Sequence, residues 1–178
     1  MLLFYSQLIF DKYMPRRKSG TIYEIVIDNS YYCYAEIIPY GNMAFFDYKS
    51  DKPLEDLSVL LTTPVLFIVT IYPYILTKKL WKKVGIINLR EEFNNDVQFY
   101  VYHRIYDSFD IYSSKTGELI KSTREECLGL EQCAIWGVNH IEDRLRAYYS
   151  GKPCIWLKED YQIKGIEVNF DEMDTTTS

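Results

Sequence analysis

Apolar and polar residues alternate along most of this chain in short runs, each closed by a turn signal. Thr21 to Ile27 (TIYEIVI), Tyr31 to Pro39 (YYCYAEIIP) and Asn42 to Tyr48 (NMAFFDY) read as three strands. Asp28-Asn29-Ser30 and Gly41-Asn42 separate them, and both are turn chemistries, so an antiparallel meander follows. Lys52-Pro53-Leu54 predicts the start of a short helix, with Pro at the first position and Leu54, Leu57 and Leu61 on one side. Val65 to Ile71 is continuous and β-branched, the pattern of a central strand buried on two faces. A helical turn near Tyr74 to Lys82, a strand at Trp81 to Ile87 and another at Val97 to Tyr102 follow. Phe109 to Ser113 and Glu118 to Ser122 flank Ser114-Lys115-Thr116-Gly117, a hairpin signal.

The period changes after Ser122. Thr123 and Glu126 have capping-box spacing, in which hydroxyl and carboxylate each satisfy the other residue's amide. Asn139 is placed to cap a second helix, Ile141, Leu145 and Tyr148 fall on one face of it, and Gly151 is placed to end it. Cys154 to Leu157 is a short apolar run. The predicted class is therefore α+β, mostly β: an antiparallel, strongly curved sheet or partly open barrel with two or three short helices, the last two near the C-terminus. The organisation predicted is an apolar arm over 1–14, one domain over 15–158 and an acidic, flexible tail over 159–178.

Composition narrows the function more than the fold. A formal charge of −5 and a pI near 5.1 oppose direct nucleic-acid binding, which needs a basic footprint. The longest apolar stretch, Leu60 to Leu76, is broken by Pro64 and Pro73, so no membrane span is expected, and MLLFYSQLIF lacks a basic region and cleavage site. Cys33, Cys127, Cys133 and Cys154 form no C-x-x-C pair, and with only two His in the chain no metal site is expected. Free thiols suit a reducing, cytoplasmic compartment. The 17 tyrosines are at home in strands and equally suited to an interface.

Chemistry is sparse. No Walker or G-x-G-x-x-G glycine pattern occurs, and the adjacent carboxylates, such as Glu125-Glu126 and Glu142-Asp143, point in different directions on a helix. No catalytic residue and no cofactor is assigned. His103 and His140 are isolated in sequence. His140 with Cys133 or a carboxylate would make a site only if folding joined them, which leaves a small-ligand module or hydrolase-like enzyme around His140 as the alternative. Trp136, in QCAIWGVNH, reads either as a core anchor or as an aromatic hot spot.

The wording of two segments, TREECLGLEQCAIW (123–136) and HIEDRLRAYYSG (140–151), resembles the C-terminal part of the immunity protein 26 family of bacterial polymorphic toxin systems. Gly20-Thr21-Ile22-Tyr23, Tyr34-Ala35-Glu36-Ile37-Ile38, Phe46-Asp47-Tyr48, Pro64-Val65-Leu66-Phe67 and Trp81-Lys82-Lys83-Val84-Gly85 resemble its earlier strands in order. Lys79-Leu80 and Asn88 depart from it, and Asn94 to Ile120 matches little. The resemblance implies a non-catalytic cytoplasmic protein that binds and neutralises a cognate toxin, and it supplies no contact residues. From charge and clustering, Glu131, Trp136, His140, Glu142 and Asp143 are the candidate partner-binding residues. The carboxylates among them would mimic phosphates if the toxin is a nuclease. Oligomeric state is left open.

Overall fold

The computed structural model describes residues 17–170, so the expected arm over 1–14 and the end of the expected tail, 171–178, lie outside the described residues. The strands divide between two sheets, neither closed into a barrel. The first sheet holds β1 (Thr21–Ile27), β2 (Tyr31–Ile37), β3 (Asn42–Phe46), β4 (Val65–Ile71), β5 (Lys82–Ile86) and β10 (Ile135–Trp136), in the order β10-β4-β3-β2-β1-β5. The second holds β6 (Gln98–His103), β7 (Ser108–Ser113), β8 (Leu119–Ser122) and β9 (Glu131–Gln132), in the order β8-β7-β6-β9. Four stretches of α-helix, α1 (Tyr74–Thr77), α2 (Arg124–Cys127), α3 (Val138–Ser150) and α4 (Lys158–Ile163), lie among the described residues.

The meander forms as its turns dictate. Asp28 and Asn29 both take positive φ, 52° and 50°, the conformation of a type I′ turn, closed by the Ser30 amide donating to the Ile27 carbonyl at 2.9 Å. β1 and β2 then pair antiparallel from Ile22↔Glu36 to Ile27↔Tyr31. Both faces of this sheet are covered, which explains the continuous apolar wording of β2 and β3. One face, with Ile25, Ala35, Phe45 and Val69, packs under Ile75 of α1 and under Ile141 and Leu145 of α3. The other, with Ile22, Tyr34, Ala44 and Phe46, packs under Leu60 and Phe93 from the loops. Glu36 points into this second core and is fully buried.

The pairings are antiparallel except for the two-residue strands β9 and β10, which add parallel to β6 and β4. Only Cys133 and Ala134 separate them, so residues 131–136 stitch the second sheet to the first and deliver the chain to α3.

Four local expectations differ in the structure. Pro53 does not start the helix after β3; a 3-10 turn begins at Leu57, capped by Asp56, whose carboxylate accepts from the Ser58 amide at 2.8 Å. Asn139 does not cap α3. The helix starts two residues earlier, after Gly137, whose amide donates to His140 Nδ1 at 3.4 Å. The folded chain also continues past Leu157. Asp160 and Ile163 of α4 are buried, and Asp160 accepts a hydrogen bond from Tyr100 at 2.9 Å. Tyr148, expected on the buried face of α3, is half-exposed, and its neighbour Tyr149 packs on the core instead. Gly151 ends α3 with φ 66°, as its position predicts.

The capping box of α2 forms: the Thr123 hydroxyl accepts from the Glu126 amide at 3.3 Å, and the Glu126 carboxylate accepts from the Thr123 amide at 3.0 Å. Thr123→Ala is expected to lower the unfolding free energy by about 1 kcal/mol, read by urea denaturation.

Candidate partner-binding surface

The burial of Ile141 and Leu145 fixes the rotation of α3, so His140 and Asp143 face outward. Beside the helix start, the chain leaves β4 at Tyr72, whose amide donates to the Trp136 carbonyl at 2.9 Å. Tyr72 and Tyr74 lie there with ring centroids 5.8 Å apart, and the Tyr74 hydroxyl reaches Gly137. A Cβ at Gly137 would meet both the Tyr74 hydroxyl and the His140 ring in ordinary contact, so both groups border the space above Gly137. On the far side of His140 the 3-10 turn Ile155–Leu157 lays Trp156 over the imidazole, centroids 4.0 Å apart. The Trp156 indole N–H donates to Asp143 at 2.8 Å.

The result is a strip running Tyr72, Tyr74, His140, Trp156. Tyr72 is 45% exposed, Tyr74 38%, Trp156 45% and the adjoining Ile155 46%. Large apolar side chains are singly exposed on most surfaces; two ring pairs, Tyr72–Tyr74 and His140–Trp156, meeting beside Gly137 with this exposure have the composition of an interface centre. Its rim is charged. Arg146 donates to both oxygens of Asp28 at 2.8 Å and also pairs with Asp143. The Arg146 hydrogen bonds hold the Asp28 carboxyl below its ordinary pKa, so it is ionised at neutral pH.

The five residues expected from sequence separate into two groups. His140 and Asp143 lie on the strip. Trp136 is only 4% exposed and lies beneath it, its ring centroid 6.2 Å from His140, so it acts as a core anchor. Glu142 accepts the Trp81 indole N–H at 3.1 Å, joining α3 to the entry of β5. Glu131 is held by a two-pronged pair with Arg144, at 2.7 and 2.8 Å, and Arg144 stacks over Phe67 and Trp136. Both members of this pair are mostly removed from water. Glu131→Ala is therefore expected to cost about 2–3 kcal/mol of stability, because Arg144 loses its counter-charge; thermal or urea unfolding reads this.

Trp156 escapes a reading by pattern because CIWL is too short to show a period. The available signal is one tryptophan beside Pro153 and a charged run, Lys158-Glu159-Asp160.

The enzyme alternative gains no support from this geometry. Cavities of about 500 and 250 Å³ open elsewhere on the surface, and neither His140 nor Cys133 lines either. Burial pushes the Cys133 thiol up to about 11, so it is protonated at neutral pH and a poor nucleophile. Among the described residues no group of three His, Cys, Asp or Glu side chains is arranged to hold a metal ion, and no helix is long and apolar enough to cross a membrane.

A family model described as Immunity protein 26 matches residues 18–110. The match runs from the entry of β1 into β7 and includes Tyr72 and Tyr74. The segment 122–151, on which the sequence resemblance leans most, lies beyond it, as does Trp156. No curated protein and no solved structure matches the chain significantly.

Proposed function

The chain belongs to the immunity protein 26 family, and we propose that it neutralises a cognate bacterial toxin in the cytoplasm by binding the toxin domain, without chemistry of its own. The observation that carries the reading is the aromatic strip with its acidic rim. Tyr, Trp and His present large rigid area at small entropic cost, and Trp156 is already held over His140 by its hydrogen bond to Asp143. Asp28 and Asp143 share the single cation Arg146, which leaves a net negative charge beside the rings that would steer a basic partner, such as a nuclease, toward them. Glu131, tied to Arg144, drops out of the phosphate-mimicking set.

Co-expression with the toxic domain encoded beside this protein tests the reading. Restored growth together with a stable purified complex is the expected result. Continued toxicity with no complex, in cells that contain soluble protein, would contradict it. Within that complex, the double charge reversal Asp28→Lys, Asp143→Lys is expected to lower the association rate about tenfold or more at low salt and by less at high salt. A rate indifferent to both changes, in stopped-flow or surface-plasmon measurements, would remove the basic-partner assignment and leave the aromatic contact standing.

A further inference from the structure

The cavity of about 250 Å³ beside α1 has a lining at odds with the chain's net charge of −5. Three of its lining side chains are cations, Arg17, Lys18 and Lys83, and the rest, from β1, β2 and α1, are uncharged. Lys83 stands opposite Tyr23 across the β1–β5 pairing, which sets one wall. Among the described residues, none of the three cations takes part in an ion pair. Arg17 is part-buried, and its Nη2 is shut off from solvent with no hydrogen-bond partner. A guanidinium nitrogen removed from water without a hydrogen-bond acceptor is unfavourable, and buried polar hydrogens are satisfied in nearly all native structures. Burial accordingly lowers the Arg17 pKa from its ordinary value.

We propose that this cavity binds a single oxyanion group, phosphate or carboxylate, on the Arg17 guanidinium, with Lys18 and Lys83 supplying further positive charge. The planar fork of Arg matches two oxygens of either group. The volume is below the roughly 300–1,000 Å³ of sites for drug-sized ligands, so it suits one small anionic group rather than a whole nucleotide. The cavity shares α1 with the strip but none of its lining residues belongs to the strip.

Titration of the full-length protein with inorganic phosphate, and separately with acetate, tests this. The readout is the NMR signals of the Arg17 side chain and the β1 amides, in chloride buffer at constant ionic strength. Saturable shifts are expected, weakened at least about tenfold in Arg17→Gln and also weakened in Lys83→Gln, with the rest of the spectrum unchanged. The tighter of the two anions then says whether a phosphoryl or a carboxylate group is the natural occupant. Arg17→Lys, which keeps the charge and loses the fork, is expected to bind less tightly than the unmodified protein. Shifts that fail to saturate with either anion, or equal affinity in Arg17→Gln, would overturn the proposal.

Discussion

Replacing Trp156 and Tyr74 together by Ala is expected to weaken toxin binding at least about 100-fold, or about 3 kcal/mol, while leaving the protein folded. Trp156 stacks on His140 and the Tyr74 hydroxyl borders the same space above Gly137, so their loss removes the centre of the strip and unstacks the imidazole. Each is more than a third exposed, which limits the cost to the core. The Asp143 carboxylate loses its indole donor but keeps Arg146. Most of the effect belongs in the dissociation rate, as for other central interface residues. Tyr148→Ala is the control. That ring is half-exposed on the same helix but lies two turns away, bonded to Asp47, and its removal is expected to leave affinity unchanged. Isothermal calorimetry with the purified toxin domain reads both. Equal losses from the two sites would mean that the interface follows the length of α3 and not the strip.

The second large effect concerns Glu36, where stability and pH are linked. Its carboxyl is fully buried, and neither oxygen has a hydrogen-bond partner. Desolvation pushes its pKa up from 4.5 to about 7; the Arg90 guanidinium opposes the shift and Glu92 adds to it. The folded state therefore holds this proton more tightly than the unfolded chain does. Stability from this group is complete below about pH 4.5, falls as pH rises toward 7, and is lost above it. A shift of that size corresponds to about 3 kcal/mol. Glu36→Gln keeps the shape and removes the charge, so it is expected to be the more stable protein at pH 8 by an amount of that order, and to approach the unmodified protein near pH 5. Urea unfolding of both between pH 5 and 8 checks this. His103 and His140 are common to the two proteins, so the difference between the curves isolates Glu36. Parallel curves would show that the carboxylate is accommodated in its ionised form.

The contrast between these two sites shows what a sequence carries openly. Strands β1, β3 and β4 were readable because alternation, apolar runs and the Asp28-Asn29 turn all act within a few residues. The Thr123–Glu126 box and the Gly151 stop were readable for the same reason. Glu36 was not: at the sequence level it is a polar residue in an alternating strand, and its burial comes from distant loops that supply Leu60 and Phe93 to the second core. Nor could local patterning divide the strands into two sheets, since the joining strands β9 and β10 are two residues each. The start of α3 was displaced because His140 reached back to the Gly137 amide and took the role that Asn139 seemed suited to. Of the expected partner-binding residues, His140 and Asp143 reached the surface strip because the Ile141–Leu145 period set the helix rotation. Glu131 and Glu142 turned inward to Arg144 and Trp81, partners set by tertiary packing. Trp156 and Tyr74 joined His140 only through the fold.

The account stands or falls on where the toxin lands. Hydrogen exchange of this protein alone and in complex with its toxin domain measures that directly. The strip predicts added protection in the segments around Tyr72–Tyr74, Gly137–Asp143 and Ile155–Trp156, with the β6–β7 hairpin unchanged. Protection confined to that hairpin, or to the exposed edge strand β8, with residues 137–143 and 155–156 unaffected, would contradict it.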